Sequence, residues 1–314
     1  MNKTIVPIFF SIDNGYIPYF KIALKSIMDN SSKDNKYIAY VLNCDVSEEN
    51  QKNVKEMLID NFECEFIDMK EKLTNINDKL FVRDYYSKTT YYRLFIPGMF
   101  PEYKKAIYLD SDITVTGDVA DLYNYEINNN LVGAITDESV QIVPEFIEYV
   151  EKYLGISHDR YFNAGVLLMN LDELRMFNFE DRFTSLLNQI KFSVAQDQDY
   201  LNVLCKDRVH YIPLIWNKMP FKNDTVKIED LKLIHYNLSL KPWHYKGILY
   251  EEAFFKYVDI LGLTDFINEK IVNYSEQDKK KDYLCGENLK KMAHELSEVK
   301  DTYVSLVSQG KIKL

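Results

Sequence analysis

The chain has 314 residues, of which 46% are hydrophobic and 27% are charged, a balance typical of a protein that folds around an apolar core. Because this length exceeds that of an average domain, we expect one large domain with an appendage. The formal net charge of −10 argues against nucleic-acid binding, which requires a basic surface. The four cysteines are scattered without a CxxC pair, as is typical of reduced thiols, and no apolar run reaches the length of a membrane span or a signal-peptide core. We therefore expect a cytoplasmic protein.

The amino-terminal part of the chain alternates between strand and helix patterns. Buried strands are predicted at residues 5–10, 37–42 and 64–67. Ser47 is the expected N-cap of a helix that runs to about Ile59. The helix after the first strand is indicated by apolar residues at three- and four-residue spacing, namely Phe20, Leu24, Ile27 and Met28. This alternation predicts an α/β fold with a parallel sheet that carries helices on both faces.

The middle of the chain contains the most informative strand. After a predicted helix near residues 89–94, the strand at residues 106–109 runs directly into Asp110-Ser111-Asp112. In open α/β sheets, ligands bind beyond the carboxyl ends of the strands. The acidic triplet lies at such an end, so we expect a functional site there. Further strands are predicted at residues 131–135, 166–169 and 233–235, with a helix after Ala195.

Beyond about Tyr250 the pattern becomes mainly helical, so we assign residues 1–250 to the main domain and residues 251–314 to a helical C-terminal extension. Apolar residues in this extension repeat at coiled-coil spacing, at Leu289, Met292, Leu296, Val299, Tyr303 and Leu306. We expect this seam to dock on the main domain. Contact with a second copy of the chain or with a membrane surface is the alternative, and the membrane is disfavoured because the polar face is mixed in charge.

Two aspartates separated by one residue, on a turn after a strand, can direct both carboxylates at one ion. Mg²⁺ and Mn²⁺ prefer such oxygen ligands. A divalent metal neutralises the charge that develops on phosphate oxygens when a sugar–diphosphate bond breaks. The segment Asp110-Ser111-Asp112-Ile113-Thr114 also satisfies the DxDxT pattern of haloacid-dehalogenase phosphohydrolases, with Asp110 as nucleophile and Asp112 as general acid. That motif normally follows the first strand of its domain, whereas here a whole α/β unit precedes it.

Four sequence blocks occur in order along the main domain. They are Tyr108-Leu109-Asp110-Ser111-Asp112 with Gly117-Asp118, Tyr161-Phe162-Asn163-Ala164-Gly165-Val166, Gln196-Asp197-Gln198-Asp199 with Leu201-Asn202, and His235-Tyr236 with Lys241-Pro242-Trp243. These blocks resemble the DxD, FNAGV, QDQDxLN and HxxxxxKPW segments of family 8 glycosyltransferases, which include bacterial lipopolysaccharide galactosyl- and glucosyltransferases. The resemblance spans about residues 1–250 and leaves out the C-terminal extension. It implies a GT-A fold, which is a Rossmann-like nucleotide-sugar-binding domain with a mixed, mainly parallel sheet.

The resemblance also implies a function. The expected enzyme is a retaining glycosyltransferase that moves glucose or galactose from a UDP-sugar to a glycan, glycolipid or protein acceptor, with Mn²⁺ or Mg²⁺ as cofactor. The implied metal ligands are Asp110, Asp112 and His235. The implied substrate-binding residues are Ser11, Asp13 and Tyr16 at the nucleotide, Ser111, Lys241 at the diphosphate, and Arg93, Asp137, Asn163, Asp197 and Gln198 at the donor sugar. Leu238 stands where the galactosyltransferase members carry a glycine near the phosphates.

The candidate catalytic residues are Gln198 and Asp197. Gln198 occupies the place where a double displacement needs its nucleophile, but an amide is a poor nucleophile. Asp197 is the nearest carboxylate. We therefore favour a same-face displacement, in which an oxygen of the leaving diphosphate helps to deprotonate the acceptor. A non-catalytic nucleotide-sugar binder is a further alternative beside the phosphohydrolase.

Overall fold

The computed structural model describes residues 3–74, 78–80, 88–223 and 225–313. The strands of this part of the chain are β1 Thr4–Ser11, β2 Asn35–Asn43, β3 Phe62–Asp68, β4 Lys105–Leu109, β5 Ile113–Val115, β6 Val132–Thr136, β7 Phe162–Asn170, β8 Val209–Tyr211 and β9 Leu233–His235. The helices are α1 Ile17–Asn30, α2 Glu48–Lys55, α3 Lys70–Leu73, α4 Ile96–Met99, α5 Val119–Tyr123, α6 Glu138–Ile142, α7 Pro144–Glu148, α8 Leu171–Met176, α9 Phe179–Gln189, α10 Asp197–Cys205, α11 Glu251–Ile260, α12 Thr264–Asn273, α13 Glu276–Ser297 and α14 Tyr303–Ser308. A 3₁₀-helix, Lys88–Phe95, precedes α4, and a π-helix, Tyr149–Leu154, follows α7.

Seven strands form one sheet in the order β3-β2-β1-β4-β7-β6-β8. Neighbouring strands are parallel except that β7 runs antiparallel to both β4 and β6. The sheet is therefore mixed and mainly parallel, as predicted. As a result, the carboxyl ends of β1, β4 and β6 and the amino end of β7 lie at the same edge of the sheet, where an α/β fold binds its ligands.

Both faces of the sheet are covered, which explains why the inner strands β1, β2, β4 and β7 are mainly apolar and buried. Along β1, Phe9 packs in the core on one face, whereas Ile8 and Phe10 pack in the core on the other face. This is the alternation that an extended strand imposes. Helix α1 adds Phe20 and Leu24 to the second core. Burial of each such side chain contributes about 2 kcal/mol, so the sheet is a stable platform for its edge.

A separate antiparallel ribbon joins β5 to β9. Strand β5 begins directly after Asp112, and Ile113 lies opposite His235 in the ribbon. Two segments that are far apart in the chain are thus brought together beside the end of β4. The boundaries predicted for the strand at residues 233–235 are confirmed.

The C-terminal helices pack on the sheet domain. Helix α11 places Phe254 and Tyr257 in an apolar cluster that also contains Tyr19 of α1 and Trp243. Helix α13 packs Leu289 and other apolar residues against the core on one face of the sheet. The boundary between a main domain and an extension at about residue 250 stays a prediction. Residues before and after it pack in the same apolar clusters.

The predicted apolar seam of the extension docks on the main domain, but it is not one helix. Helix α13 ends at Ser297 and α14 begins at Tyr303. Val299 lies between them and is exposed, so its place in the seam was predicted wrongly. No helix in the described ranges is both long enough and apolar enough to cross a membrane.

Other predicted boundaries also differ from the structure. Ser47 is the N-cap of α2 as expected, but the helix ends at Lys55 because the chain then turns, with the Ile59 carbonyl accepting from the Phe62 N–H at 2.8 Å. The helix predicted at residues 89–94 is a 3₁₀-helix. The strand predicted at residues 166–169 begins earlier, at Phe162, where polar and glycine residues interrupt the apolar pattern.

Candidate active site

The turn after β4 and the end of β9 bring Asp110, Asp112 and His235 together. The Asp110 N–H donates to the Gly165 carbonyl, and the Tyr236 N–H donates to the Asp112 carbonyl, both at 2.8 Å. His235 Nε2 lies 3.2 Å from Asp112 Oδ1 and 3.7 Å from Asp110 Oδ2. Each of the three side chains therefore offers one ligand atom to a common point.

This group suits a divalent cation. Asp112 Oδ1 and His235 Nε2 are both buried and have no hydrogen-bond partner, although buried polar atoms are normally paired. A Cβ added to Gly165 would lie 2.6 Å from Asp110 Oδ2 and would also collide with His235 Cε1. Strand β7 thus approaches the three side chains so closely that only glycine fits. Two carboxylates and one imidazole are a ligand set compatible with Mn²⁺ or Mg²⁺.

Lys241 lies on the other side of Asp112 and pairs with its Oδ2 atom. Lys241 Nζ also donates to the Tyr236 carbonyl at 2.6 Å, which ties the loop after β9 to the turn after β4. Burial alone raises the pKa of Asp112, but the Lys241 ammonium and His235 outweigh it and hold that pKa well below its usual range. Asp112 is therefore ionised at neutral pH, as a metal ligand must be.

Arg93 connects the turn of Asp110, Ser111 and Asp112 to the start of α10. Its guanidinium is buried, and its Nη2 lies 3.2 Å from Asp110 Oδ1 while its Nε lies 3.1 Å from Asp197 Oδ2. It also stacks over the Tyr108 ring, 4.3 Å from the ring centroid. Because its carboxylate partners come from two elements, Arg93 holds them at a fixed separation.

A network of amides and one carboxylate joins the ends of β6, β7 and α10. Asp137 Oδ2 accepts from Asn163 Nδ2 and from Gln198 Nε2, each at 3.0 Å. Gln198 Oε1 accepts from the Ala164 N–H at 2.9 Å. Gln198 is therefore bound at both ends of its amide, and its orientation in the site is fixed.

Asp197 begins helix α10 and is the most unusual carboxyl group of the site. Burial raises the pKa of Asp197 to about 6, and the Arg93 guanidinium opposes this effect only in part. The pKa of Asp197 is therefore raised whereas that of Asp112 is lowered, although both are buried acids next to cations. Environments that separate the pKa values of neighbouring acids are typical of active sites.

The predicted nucleotide residues lie where β1 ends. Asp13 Oδ1 accepts from the Tyr16 N–H at 3.1 Å, which fixes the turn before α1. The Tyr16 ring packs edge-on against Tyr19, with the ring centroids 5.3 Å apart. Ser11 and Ser111 are also at this edge. The structure brings every site residue predicted from the sequence into the lining of one cleft.

Comparison with known proteins assigns the family. Residues 7–247 match the model of glycosyl transferase family 8. The chain belongs to this family. A Haemophilus influenzae protein described as a glycosyltransferase is 29% identical over 247 residues, which are 76% of this chain and 73% of that protein. The lipopolysaccharide 1,2-glucosyltransferase of Escherichia coli K12 is 27% identical over 190 residues, which are 54% of each chain.

A solved structure supports the same assignment. The galactosyltransferase LgtC, crystallised with donor and acceptor sugar analogs, superposes with a TM-score of 0.68 at 26% identity. The superposition covers 81% of this chain and 96% of the LgtC chain. The family 8 chain therefore has the GT-A fold and is a glycosyltransferase. This membership rules out the phosphohydrolase alternative.

Asn217 is a residue of this glycosyltransferase that the sequence analysis missed. Asn163 Oδ1 accepts from the Gly165 N–H at 2.9 Å, so the group of Asn217 that faces it at 3.0 Å must be its NH₂. The Asn217 oxygen then faces His235 Nδ1 at 2.9 Å and accepts its proton. This hydrogen bond places the His235 proton on Nδ1 and leaves the Nε2 lone pair free for a metal. No local pattern around Asn217 indicates this role.

Asn237 and Leu238 also line the cleft of the family 8 chain. Asn237 Oδ1 is buried without a hydrogen-bond partner. Leu238 has a φ of 53°, the left-handed conformation that glycine adopts most readily. A leucine in this conformation carries a strain of about 1 kcal/mol. The spacing between His235 and Lys241 was the signal that pointed to this loop.

Proposed function

We propose that this enzyme transfers glucose or galactose from a UDP-sugar to a glycan, glycolipid or protein acceptor, with retention of the anomeric configuration. The main support is that Asp110, Asp112 and His235 stand in one cleft between a nucleotide end and a polar sugar end. The names of two similar proteins specify glucosyl and galactosyl transfer, which favours a hexose donor. A cytoplasmic location, and contact with a membrane or a second copy through the C-terminal helices, are also proposed.

The metal ligands in this proposal are Asp110, Asp112 and His235, holding Mn²⁺ or Mg²⁺. Such an ion, when bound, neutralises charge on the diphosphate as the sugar–phosphate bond breaks. Lys241 supports the same leaving group as a point charge, because its flexible stem can turn the ammonium from Asp112 towards a phosphate oxygen. The loop of Leu238 and Asn237 lies between His235 and Lys241 and so borders the diphosphate as well.

The nucleotide and the donor sugar take the two sides of this metal site. At the end of β1, Asp13 accepts a hydrogen bond from the uracil and Tyr16 packs on its ring. At the ends of β6 and β7, Asp137 and Asn163 bind hydroxyl groups of the sugar, and Arg93 donates to them from below the β4 turn. The order of strands in the sheet sets the order of these groups along the cleft.

The environment of Gln198 and Asp197 supports a same-face displacement. Gln198 donates to Asp137 and accepts from Ala164, so its amide is engaged and is a poor nucleophile. Asp197 is an ion-pair partner of Arg93. In the proposed step, the acceptor oxygen attacks the anomeric carbon on the face that the diphosphate leaves, and the acceptor proton passes to a diphosphate oxygen. Mass spectrometric detection of a hexosyl group on Asp197 would instead support a double displacement.

The test of the proposed function is release of UDP from a panel of UDP-sugars, in Mn²⁺, in Mg²⁺ and in EDTA. We expect metal-dependent turnover of UDP-glucose or UDP-galactose, and an α-configured product from the α-configured donor by NMR. Asp112→Asn should lower turnover by roughly 100-fold or more, since it removes a metal ligand and its charge. Asp34→Asn changes an exposed aspartate outside the cleft and serves as the control. Binding of UDP-sugars without turnover would favour the non-catalytic alternative, and full activity in EDTA would contradict the metal role.

A further inference from the structure

The cleft continues past the sugar-binding network into an apolar region. This apolar end is lined by Val140, Phe146, Tyr149, Val150, Val194 and Leu289. Along the sheet edge, the nucleotide residues follow β1, the candidate metal ligands follow β4, and the sugar residues stand at the ends of β7 and β6. Helices α6 and α7 and the π-helix come directly after β6. The apolar end therefore lies beyond the donor sugar, on the side away from the nucleotide.

The tyrosine hydroxyls beside the apolar end are bonded to a buried carboxylate. The Tyr149 and Tyr161 hydroxyls donate to the two oxygens of Asp199, at 2.9 Å and 2.6 Å. The Ala195 N–H donates to the same carboxylate at 2.9 Å. Asp199 is fully buried behind the tyrosine rings. A hydroxyl-rich sugar would lose its water here without gaining hydrogen bonds, whereas an apolar group would be stabilised by leaving water.

Leu289 comes from helix α13, which lies outside residues 7–247 that match the family. Helix α13 is held in place by contacts of its own. Ala293 is fully buried in the core on one face of the sheet. His294 Nδ1 lies 3.1 Å from Glu148 Oε2 of α7, and Lys152 of the π-helix lies 3.0 Å from Glu298. The C-terminal extension thus completes the wall of a cleft whose other parts belong to the family domain.

We propose that the apolar end of the cleft binds the alkyl chain of a lipid-linked acceptor, and that Leu289 makes the enzyme selective for such acceptors. This inference rests on the proposed hexosyl transfer and narrows its acceptor to one class. An acceptor must reach the donor sugar from the side that the nucleotide does not occupy, and the apolar end lies on that side. An alkyl chain is favoured over a peptide because the described side chains that line this end leave no free polar group for a peptide backbone.

The experiment compares matched acceptors that differ only in the aglycone. Methyl and octyl β-glycosides of glucose, galactose and N-acetylglucosamine are titrated into the full chain with Mn²⁺ and UDP, below the critical micelle concentration, and followed by calorimetry. We expect the octyl glycoside of at least one sugar to bind roughly tenfold or more tighter than its methyl counterpart, about the effect of burying two methylene groups. Equal affinity of the methyl and octyl glycosides for all three sugars would refute the proposal.

Variants of α13 test whether Leu289 contacts the octyl chain. Leu289→Ser should reduce the preference for octyl over methyl to about threefold or less, because it replaces an apolar wall with a hydroxyl. Leu289→Phe keeps the wall apolar but fills the space, so it should weaken octyl binding and leave methyl binding unchanged. Leu284→Ser is the matched control, since Leu284 is on the same helix, is 47% exposed and does not line the cleft. A wild-type octyl preference in both Leu289 variants would place the alkyl chain elsewhere.

Hydrolysis of the UDP-sugar without any acceptor separates this inference from the proposed function. Leu284→Ser should hydrolyse the donor at the wild-type rate, because Leu284 does not line the cleft. An octyl preference in a chain that turns over no UDP-sugar would support the apolar end and reject hexosyl transfer. Donor hydrolysis without an octyl preference would support hexosyl transfer and reject the alkyl-binding role of the apolar end.

Discussion

Asn217 offers a direct test of the candidate metal site, because it contacts the proposed ligand His235 and is not a proposed ligand itself. It is fully buried, accepts from His235 Nδ1 at 2.9 Å, and donates to Asn163 Oδ1 at 3.0 Å. In Asn217→Ala, Asn163 keeps its hydrogen bonds to Gly165 and Asp137. The N–H of His235 loses its partner, however, and the ring is no longer held with Nε2 towards the two aspartates.

The expected change in Mn²⁺ affinity follows from the loss of the hydrogen bond between Asn217 and His235. A buried N–H without a partner costs about 1–3 kcal/mol, and removal of such an outer partner of a metal-bound histidine usually weakens metal binding by roughly 10–100-fold. The two estimates agree, since 10–100-fold corresponds to about 1.4–2.7 kcal/mol. We therefore expect the Kd for Mn²⁺ to rise by roughly 10–100-fold. Turnover should recover largely at saturating Mn²⁺, because Asn217 does not line the cleft.

The assay is calorimetric titration of Mn²⁺ into wild type, Asn217→Ala, His235→Ala and the double variant. Because Asn217 acts through His235, the double variant should bind Mn²⁺ no more weakly than His235→Ala. Asn43→Ala is the control, since Asn43 is buried, bonds the Val41 carbonyl at 3.1 Å, and does not line the cleft. An unchanged Kd in Asn217→Ala, or additive losses in the double variant, would refute the role of Asn217.

Three further perturbations test the site and its support. Gly165→Ala introduces a Cβ 2.6 Å from Asp110 Oδ2 and should weaken Mn²⁺ binding by roughly 100-fold or more. Gly286→Ala is the control, because its Cβ meets open space and should not change the Kd for Mn²⁺ in the same titration. The pKa of Asp197, raised to about 6, means that the folded chain binds this proton more tightly than the unfolded chain, so this group's contribution to stability declines as pH rises from about 4 to about 6. In urea titrations, the wild-type unfolding free energy minus that of Asp197→Asn should fall by about 2 kcal/mol between about pH 4.5 and about pH 7, and a flat difference would contradict the shift. Lys218→Ala leaves Glu138 buried without the ammonium now 2.9 Å away, and urea titration should show a loss of about 3–5 kcal/mol. A loss within error of zero would contradict the stabilising role of this ion pair.

The turn of Asp110, Ser111 and Asp112 could be predicted because its pattern is local in the chain. Asp110 and Asp112 are separated by one residue and directly follow a strand with a clear apolar run. His235 and Lys241 could be predicted because the spacing between them matches one segment of a family. The parallel order of the first strands followed from alternation of strand and helix patterns. In each case the information lies in consecutive segments of the chain.

The residues that could not be predicted depend on contacts between distant segments. Asn217 reaches His235 only because the chain before β9 runs beside it, with the Lys218 N–H donating to the Leu233 carbonyl at 3.0 Å. Leu289 belonged to a correctly predicted docking seam, but a heptad pattern does not indicate which surface the seam covers. The start of β7 was missed for a related reason, since Asn163 and Gly165 are held extended by the site itself and not by strand propensity.

The order of strands in the sheet has a consequence for how the enzyme divides its tasks. The residues proposed to bind the nucleotide, the metal and the donor sugar follow β1, β4 and the β7–β6 pair, all within the family match. Arg93 joins Asp110 to Asp197, and Gln198 joins α10 to Asp137. The apolar end is different, because one of its walls comes from α13, which is joined to the family domain through Glu148 and Tyr245. A change in the C-terminal extension can therefore alter which acceptor binds without moving the groups proposed to activate the donor. On this argument, substitutions at Leu289 and at Asp112 should affect acceptor affinity and donor hydrolysis independently, which is the behaviour expected when recognition and chemistry reside in separate parts of one cleft.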